Sequence, residues 1–261
     1  MIYITGDTHG DIKRFDEKYV RRLKRNDYII ICGDFGFLWA GGAEEERLLE
    51  KLRKKKYCIL FVDGKHENFD LLERYRVINW HGGKVHQLGD NLYHLMRGQV
   101  FDLEQKRIFT FGGGESIDKD MRQAQGTWWE REMPTLEDMQ EAVVSLNRVD
   151  RRVDYIITHE PPARVKTIMN HRPDSINALD AFLEEISKEV KFEKWFFGCT
   201  HQDRKITSKH YSVFQDLLPA EPKIQKSEEK KSKKEAAKLA AIAAKEKKEA
   251  EKRDREAKPG Q

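Results

Sequence analysis

The chain has 261 residues, 36% of them charged and 38% hydrophobic, with a formal net charge of +4. Lys and Arg outnumber Asp and Glu by 14 to 9 in residues 221–261, so residues 1–220 carry a net charge of −1 and are not a basic nucleic-acid-binding domain on charge grounds. Three cysteines make no disulfide framework, no apolar run approaches a membrane span, and the N-terminus enters a strand with no leader-like pattern, so the chain reads as cytoplasmic.

Residues 1–80 alternate short apolar runs with amphipathic stretches, the pattern of strands and helices around a parallel sheet. The runs are Ile2-Tyr3-Ile4, Tyr28 to Cys32 and Cys58 to Val62. Helices are expected over Asp11–Lys24, Glu44–Lys55 and Phe69–Tyr75. Lys84–Leu88 and Asn91–Met96 flank Gly89-Asp90, and Gln99–Leu103 and Arg107–Phe111 flank a polar turn, which predicts an antiparallel meander. Residues 112–134 read as a long loop from Gly112-Gly113-Gly114 to Pro134. Such loops inside compact domains usually carry function. A helix over Leu136–Val149 takes Thr135 as its N-cap, a strand follows at Tyr155-Ile156-Ile157, and a second helix covers Ile176–Val190. Trp195-Phe196-Phe197 is a further buried strand, and Lys205–Thr207 and Tyr211–Phe214 close a second sheet.

The expected domain is residues 1–220, and residues 221–261 are a separate charged tail. Glu228 to Lys258 is nearly all Lys, Glu and Ala, with Leu239 and Ile242 as its larger apolar side chains, so it reads as a solvated helix or a disordered extension. Contact with nucleic acid through this tail is a weaker reading, because its charges are mixed.

Five motifs stand just past the ends of the apolar runs: Gly6-Asp7-Thr8-His9-Gly10, Gly33-Asp34, Gly64-Lys65-His66-Glu67, Thr158-His159 and Gly198-Cys199-Thr200-His201. Ligands of open α/β sheets collect beyond strand carboxyl ends, so these loops can bring Asp7, His9, Asp34, His66, His159 and His201 together.

In order and setting the motifs resemble those of the calcineurin-like metallophosphoesterases, over roughly residues 1–216. A bacterial branch of that family shares the stretches Phe61 to Asp70 and Trp80 to His86 more closely. The resemblance implies an α+β fold, a four-layer αββα sandwich of two mixed sheets flanked by helices. It implies a first divalent ion (Mn, Fe or Zn) on Asp7, His9, Asp34 and His201, with Asp34 bridging to a second ion that His159 helps to bind. It also implies hydrolysis of a phosphomonoester or phosphodiester by a metal-bound water, with His66 as general acid oriented by Glu67.

Two positions depart from the family. Lys65 stands where it has a metal-binding Asn, and Cys199 where it has a metal-binding His. A charged Lys65 and a second dication are poorly compatible in one pocket, so one tightly bound ion is expected rather than two. Either the ammonium replaces that ion and pairs with Asp34, or Lys65 swings out and a modified site binds through Asp34, His159 and Cys199. A catalytically weak or inactive phosphate-binding or scaffold protein on the same fold is the alternative. Lys119 and Arg122 are candidate phosphate contacts, and Trp128 and Trp129 either stack on a substrate or pin their loop. His81 and His86 read as surface or supporting residues, and nothing in the sequence fixes an oligomeric state.

Overall fold

The computed structural model describes residues 1–170 and 176–221. The chain divides into two units, residues 1–220 and 221–261, and the expectations for the tail fall outside the described residues.

The described elements are β1 (Ile2–Thr5), a 3-10 turn (Ile12–Phe15), α1 (Glu17–Val20), β2 (Tyr28–Cys32), α2 (Ala43–Arg53), β3 (Cys58–Val62) and α3 (Phe69–Leu72). Next come β4 (Val77–Trp80), β5 (Gly83–Gly89), β6 (Leu92–Leu95), β7 (Gln99–Leu103), β8 (Lys106–Phe111), α4 (Lys119–Ala124) and a second 3-10 turn (Glu130–Glu132). Then follow α5 (Leu136–Asn147), β9 (Tyr155–Thr158), α6 (Ala163–Ile168), α7 (Ala178–Glu189), β10 (Lys194–Phe197), β11 (Arg204–Lys205), β12 (His210–Ser212) and β13 (Leu218–Pro219).

Two mixed sheets result. One runs β13-β1-β2-β3-β6-β5-β4, parallel from β1 to β6 and antiparallel at both ends. The other runs β11-β12-β10-β9-β8-β7, parallel from β12 to β8. The strands are apolar on both faces because both are covered. Ile2, Ile4, Ile30, Cys32, Leu60 and Val62 meet Phe101, Tyr155, Ile157 and Phe196 between the sheets. Tyr3, Ile29, Ile31 and Ile59 pack outward with Leu49 and Leu52 of α2. Phe109, Ile156 and Trp195 pack outward with Ala142 and Leu146 of α5 and Leu179 and Leu183 of α7. Helix, sheet, sheet and helix make four layers, the α+β sandwich that the motifs imply. No helix among the described residues is long and apolar enough to cross a membrane.

Three parts of the chain differ from the pattern expected of their sequence. The helix expected over residues 11–24 is broken into a 3-10 turn and the single turn of α1, because Asp11 accepts from Lys13 N–H and Asp16 adopts an extended backbone between them. Residues 112–134 are not one long loop: they contain α4 and a 3-10 turn, pinned by buried Arg122 and Glu132. Strands β4 and β13 and helix α6 went unread, each being only two to six residues long. The start of α5 follows the sequence closely, with Thr135 and Asp138 forming a reciprocal capping box.

Candidate metal centre

The loops after β1, β2, β9 and β10 carry Asp7 and His9, Asp34, His159, and His201. They are tied to one another by backbone: Thr8 and His9 N–H donate to Asp34 O, and Gly198 and Cys199 N–H donate to His159 O. His9, Asp34 and His201 all take left-handed backbone conformations, with φ of 44°, 45° and 50°. That conformation costs a residue with a Cβ of order 1 kcal/mol or more and persists only where the surroundings enforce it. Gly33, at φ 105°, leaves room for the His159 ring: a Cβ there would lie 2.1 Å from His159 Nδ1.

Asp7, His9, Asp34 and His201 each present one ligand atom, and the four lie within 4.8 Å of one another. His201 Nε2 is 2.9 Å from Asp7 Oδ2 and 3.1 Å from His9 Nε2, and His9 Nε2 is 4.0 Å from Asp34 Oδ2. Ligands around one ion at ~2.0–2.2 Å stand roughly 3–4 Å apart, so these separations fit a shared cation. Both carboxylate oxygens of Asp7 are buried and face imidazole nitrogens, His201 Nε2 at 2.9 Å and His159 Nδ1 at 3.5 Å. Buried carboxylates are paired or coordinated, and a mixed carboxylate and imidazole set suits Mn, Fe or Zn.

His159 is fully buried, with Nδ1 3.1 Å from the Cys32 carbonyl. Donation from Nδ1 leaves Nε2 as the nitrogen free to meet an ion, and Nε2 is buried without a hydrogen-bond partner, 3.8 Å from Asp34 Oδ1. Burial pushes the His159 pKa down, but Asp34 and Asp7 outweigh it and lift the value to about 9. Burial likewise lowers His9, whereas the contact with Asp7 raises His201. Asp34 is held well below the usual carboxylate range despite its burial, by His159 and His66. Two carboxylates in this pocket call for positive charge.

Asp34 also grips the third motif. Its Oδ1 accepts His66 N–H at 2.8 Å and its Oδ2 is 2.9 Å from His66 Nδ1. Asp34, and not Glu67, therefore orients the His66 ring. Glu67 is buried, accepts the Phe35 N–H at 2.8 Å, and has its pKa pushed well up by burial and by Asp34.

Lys65 does not pair with Asp34. Its ammonium lies 2.6 Å from Glu160 Oε1. Glu160 Oε2 accepts from Lys166 Nζ at 2.9 Å and from Cys199 Sγ at 3.3 Å, and Lys166 reaches Asp180 Oδ1 at 2.6 Å. Burial alone would lower the Lys65 pKa, but the Glu160 carboxylate raises it, so the cation persists. Burial and Glu160 push the Cys199 thiol well up, which keeps it a donor to Glu160. Burial would raise the Glu160 carboxyl, but Lys65 and Lys166 lower it to about 2. Glu160, Lys166 and Asp180 escaped the sequence reading. The only trace is the position of Glu160 directly after His159, since its partners lie in other elements.

Arg122 is buried, and its guanidinium serves its own segment. It donates to Thr127 O, Ser116 Oγ and Lys65 O and pairs with Glu132 at 3.3 Å. Lys119 lies 4.5 Å over the Trp128 ring, and neither residue touches the Asp7 cluster among the described contacts. Trp129 donates to Asp70 Oδ2 at 2.8 Å, which pins its loop. His81 Nδ1 lies 3.1 Å from Asp102 O. His86 lies 2.9 Å from His94, whose other nitrogen reaches Asp63 at 3.1 Å, and burial lowers the His86 pKa to about 4.

A family model described as calcineurin-like phosphoesterase matches residues 1–203. No curated protein matches the chain. A solved structure described as a putative 5'-nucleotidase from Staphylococcus aureus in complex with alpha-ketoglutarate overlaps it with a TM-score of 0.46 and 15% identity, over 82% of this chain and 48% of that one. The chain thus spans about half the length of that protein.

Proposed function

The chain belongs to the calcineurin-like phosphoesterase family, and from that premise we propose that it hydrolyses a phosphomonoester or phosphodiester with one divalent ion held by Asp7, His9, Asp34 and His201. The observation that carries this reading is the convergence of those four ligand atoms, with the Asp7 carboxylate buried against the His201 and His159 imidazoles. When bound, the ion supplies Lewis-acid polarisation and acidification of water. Asp34 fixes His66 through both its backbone N–H and Nδ1, which leaves Nε2 as the nitrogen that can protonate a leaving oxygen. The strained loops pre-set the ligand geometry, so little reorganisation accompanies binding.

Purified protein reconstituted with Mn, Fe or Zn is assayed with aryl phosphate mono- and diesters. Turnover is expected to vanish in Asp7→Asn and to fall about 10²–10⁴-fold in His66→Ala, the usual worth of a positioned general acid. Full activity in either variant, or none in the reconstituted wild type, would overturn the reading.

One observation favours a second reading. The Lys65–Glu160 pair fills part of the altered pocket with the protein's own charges, which suits a phosphate-binding protein without turnover. Phosphate binding by the metal-loaded protein without hydrolysis of any ester would select it.

A further inference from the structure

Glu160 sits between two cations and a thiol. Its Oε1 meets Lys65 Nζ at 2.6 Å, and its Oε2 meets Lys166 Nζ at 2.9 Å and Cys199 Sγ at 3.3 Å. Lys166 is backed in turn by Asp180, itself buried, at 2.6 Å. Charge alternates along this row, Lys65, Glu160, Lys166, Asp180, and sums to zero. Three further features fix Lys65. Arg122 donates to its carbonyl oxygen at 3.2 Å. Gly114 leaves no spare room, because a Cβ there would stand 2.9 Å from Lys65 Cγ and 3.1 Å from Glu160 Cγ. The next residue, His66, is held by Asp34. The Lys65 side chain keeps 17% exposure, against 6% for Glu160, so the cation is the member of the pair still open to an incoming group.

We infer that the Lys65 ammonium is the second cation of this centre, standing in for a metal ion, and that Glu160 is the residue that positions it, braced by Lys166 and Asp180. The inference rests on the phosphoesterase reading above, since a second cation matters there only if a phosphate group arrives. An ammonium offers three donors. Glu160 takes one, which leaves others for phosphate oxygens. Removing Lys65 alone leaves Glu160, Lys166 and Asp180 with a net negative charge, and that deficit can be met by a second metal ion. Removing the Lys65 and Glu160 charges together leaves no deficit.

The test is metal content by mass spectrometry of folded protein equilibrated with excess Mn, joined to calorimetric titration with inorganic phosphate. Wild type is expected to hold one ion per chain. Lys65→Met should rise towards two. The double variant Lys65→Met, Glu160→Gln, which carries no unpaired charge if the single variant fails to fold, should return to one ion. It should also bind phosphate about tenfold more weakly than wild type, the effect of one lost charge-assisted hydrogen bond. Glu160→Gln alone should weaken phosphate binding while the ion count stays at one, whereas a merely structural Glu160 would change the thermal midpoint only. Two ions in wild type, or wild-type phosphate affinity in the double variant, would overturn the inference and leave the phosphoesterase reading standing. A wild type that binds no ion would instead sink that reading itself.

Discussion

Asp63→Asn is the substitution whose consequences can be worked furthest. Asp63 directly follows β3, one residue before Gly64, and is 1% exposed. Its Oδ1 lies 3.1 Å from His94 Nε2, and its Oδ2 accepts from Arg97 Nε at 2.9 Å and Nη2 at 2.5 Å. Removing one member of such a buried pair costs about 3–5 kcal/mol, because the other charge is stranded. Arg97 also donates to Arg131 O at 2.7 Å and lies 3.4 Å from Asp138, so it is not wholly stranded and the lower end, about 3 kcal/mol, is expected. In a domain of this size each kcal/mol moves the midpoint by ~2–4 °C, which gives a drop of roughly 6–12 °C. The pH dependence follows from sign. Burial would raise the Asp63 carboxyl, but Arg97 and His94 hold it well below its ordinary value. Its contribution is therefore full above about pH 3.9, the unfolded value, and is lost as pH falls further towards the folded one. Urea unfolding followed by circular dichroism should show the gap between wild type and Asp63→Asn at its widest at pH 7 and narrowing below pH ~4. A gap under about 1 kcal/mol at pH 7, or one that stays constant through the acid range, would refute the assignment of Asp63 as the charged keystone of this cluster.

Gly64→Ala should lower metal affinity, because its Cβ would stand 2.0 Å from Asp34 Oδ1 and must push that carboxylate aside; equilibrium dialysis with Mn reads the effect. Arg122→Met breaks the buried pair with Glu132 and should cost about 3 kcal/mol on denaturant unfolding, whereas a phosphate ligand would raise KM with the midpoint unchanged. Truncation after Glu221 should leave the thermal midpoint nearly unchanged, since residues 222–261 carry few large apolar side chains. Cutting before Ala220 should not be tolerated as well, because its N–H donates to Ile2 O and its carbonyl accepts from Lys194.

The site's outline was legible because chemistry and fold share one signal. A run such as Tyr28–Cys32 that is apolar throughout must be buried on both faces, and a Gly-Asp at its end must lie where the sheet opens. The positions of Asp7, His9, Asp34 and His201 follow from that logic. What escaped depends on contacts between residues far apart in the chain. Nothing around Lys65 names Glu160 as its partner, 95 positions on, and nothing around Arg122 says that its charge is spent on Glu132 rather than on a ligand. A polar side chain shows its type in the sequence but not its burial, so Arg122, a candidate phosphate contact by type, is a buried strap. Elements too short to show a period, such as α6 and β13, were lost for the same lack of signal.

The ligand cluster draws on both ends of the domain, and this bears on how the protein is made. Asp7 and His201 are 194 positions apart, yet Nε2 of one lies 2.9 Å from the carboxylate of the other. Phe214 O accepts from Gly6 N–H and Thr5 Oγ1, and β1 waits for β13 to cover its edge. At ~5–20 residues per second, a ribosome delivers His201 about 10–40 s after Asp7. Through that interval Ile2–Thr5 lacks its last neighbour and Asp7 lacks its imidazole partner from the fifth motif. A polypeptide released early lacks one imidazole of the candidate coordination set, so under the proposed metal-binding reading ion uptake would separate finished molecules from unfinished ones. Ion binding would then stabilise only the finished form, by mass action.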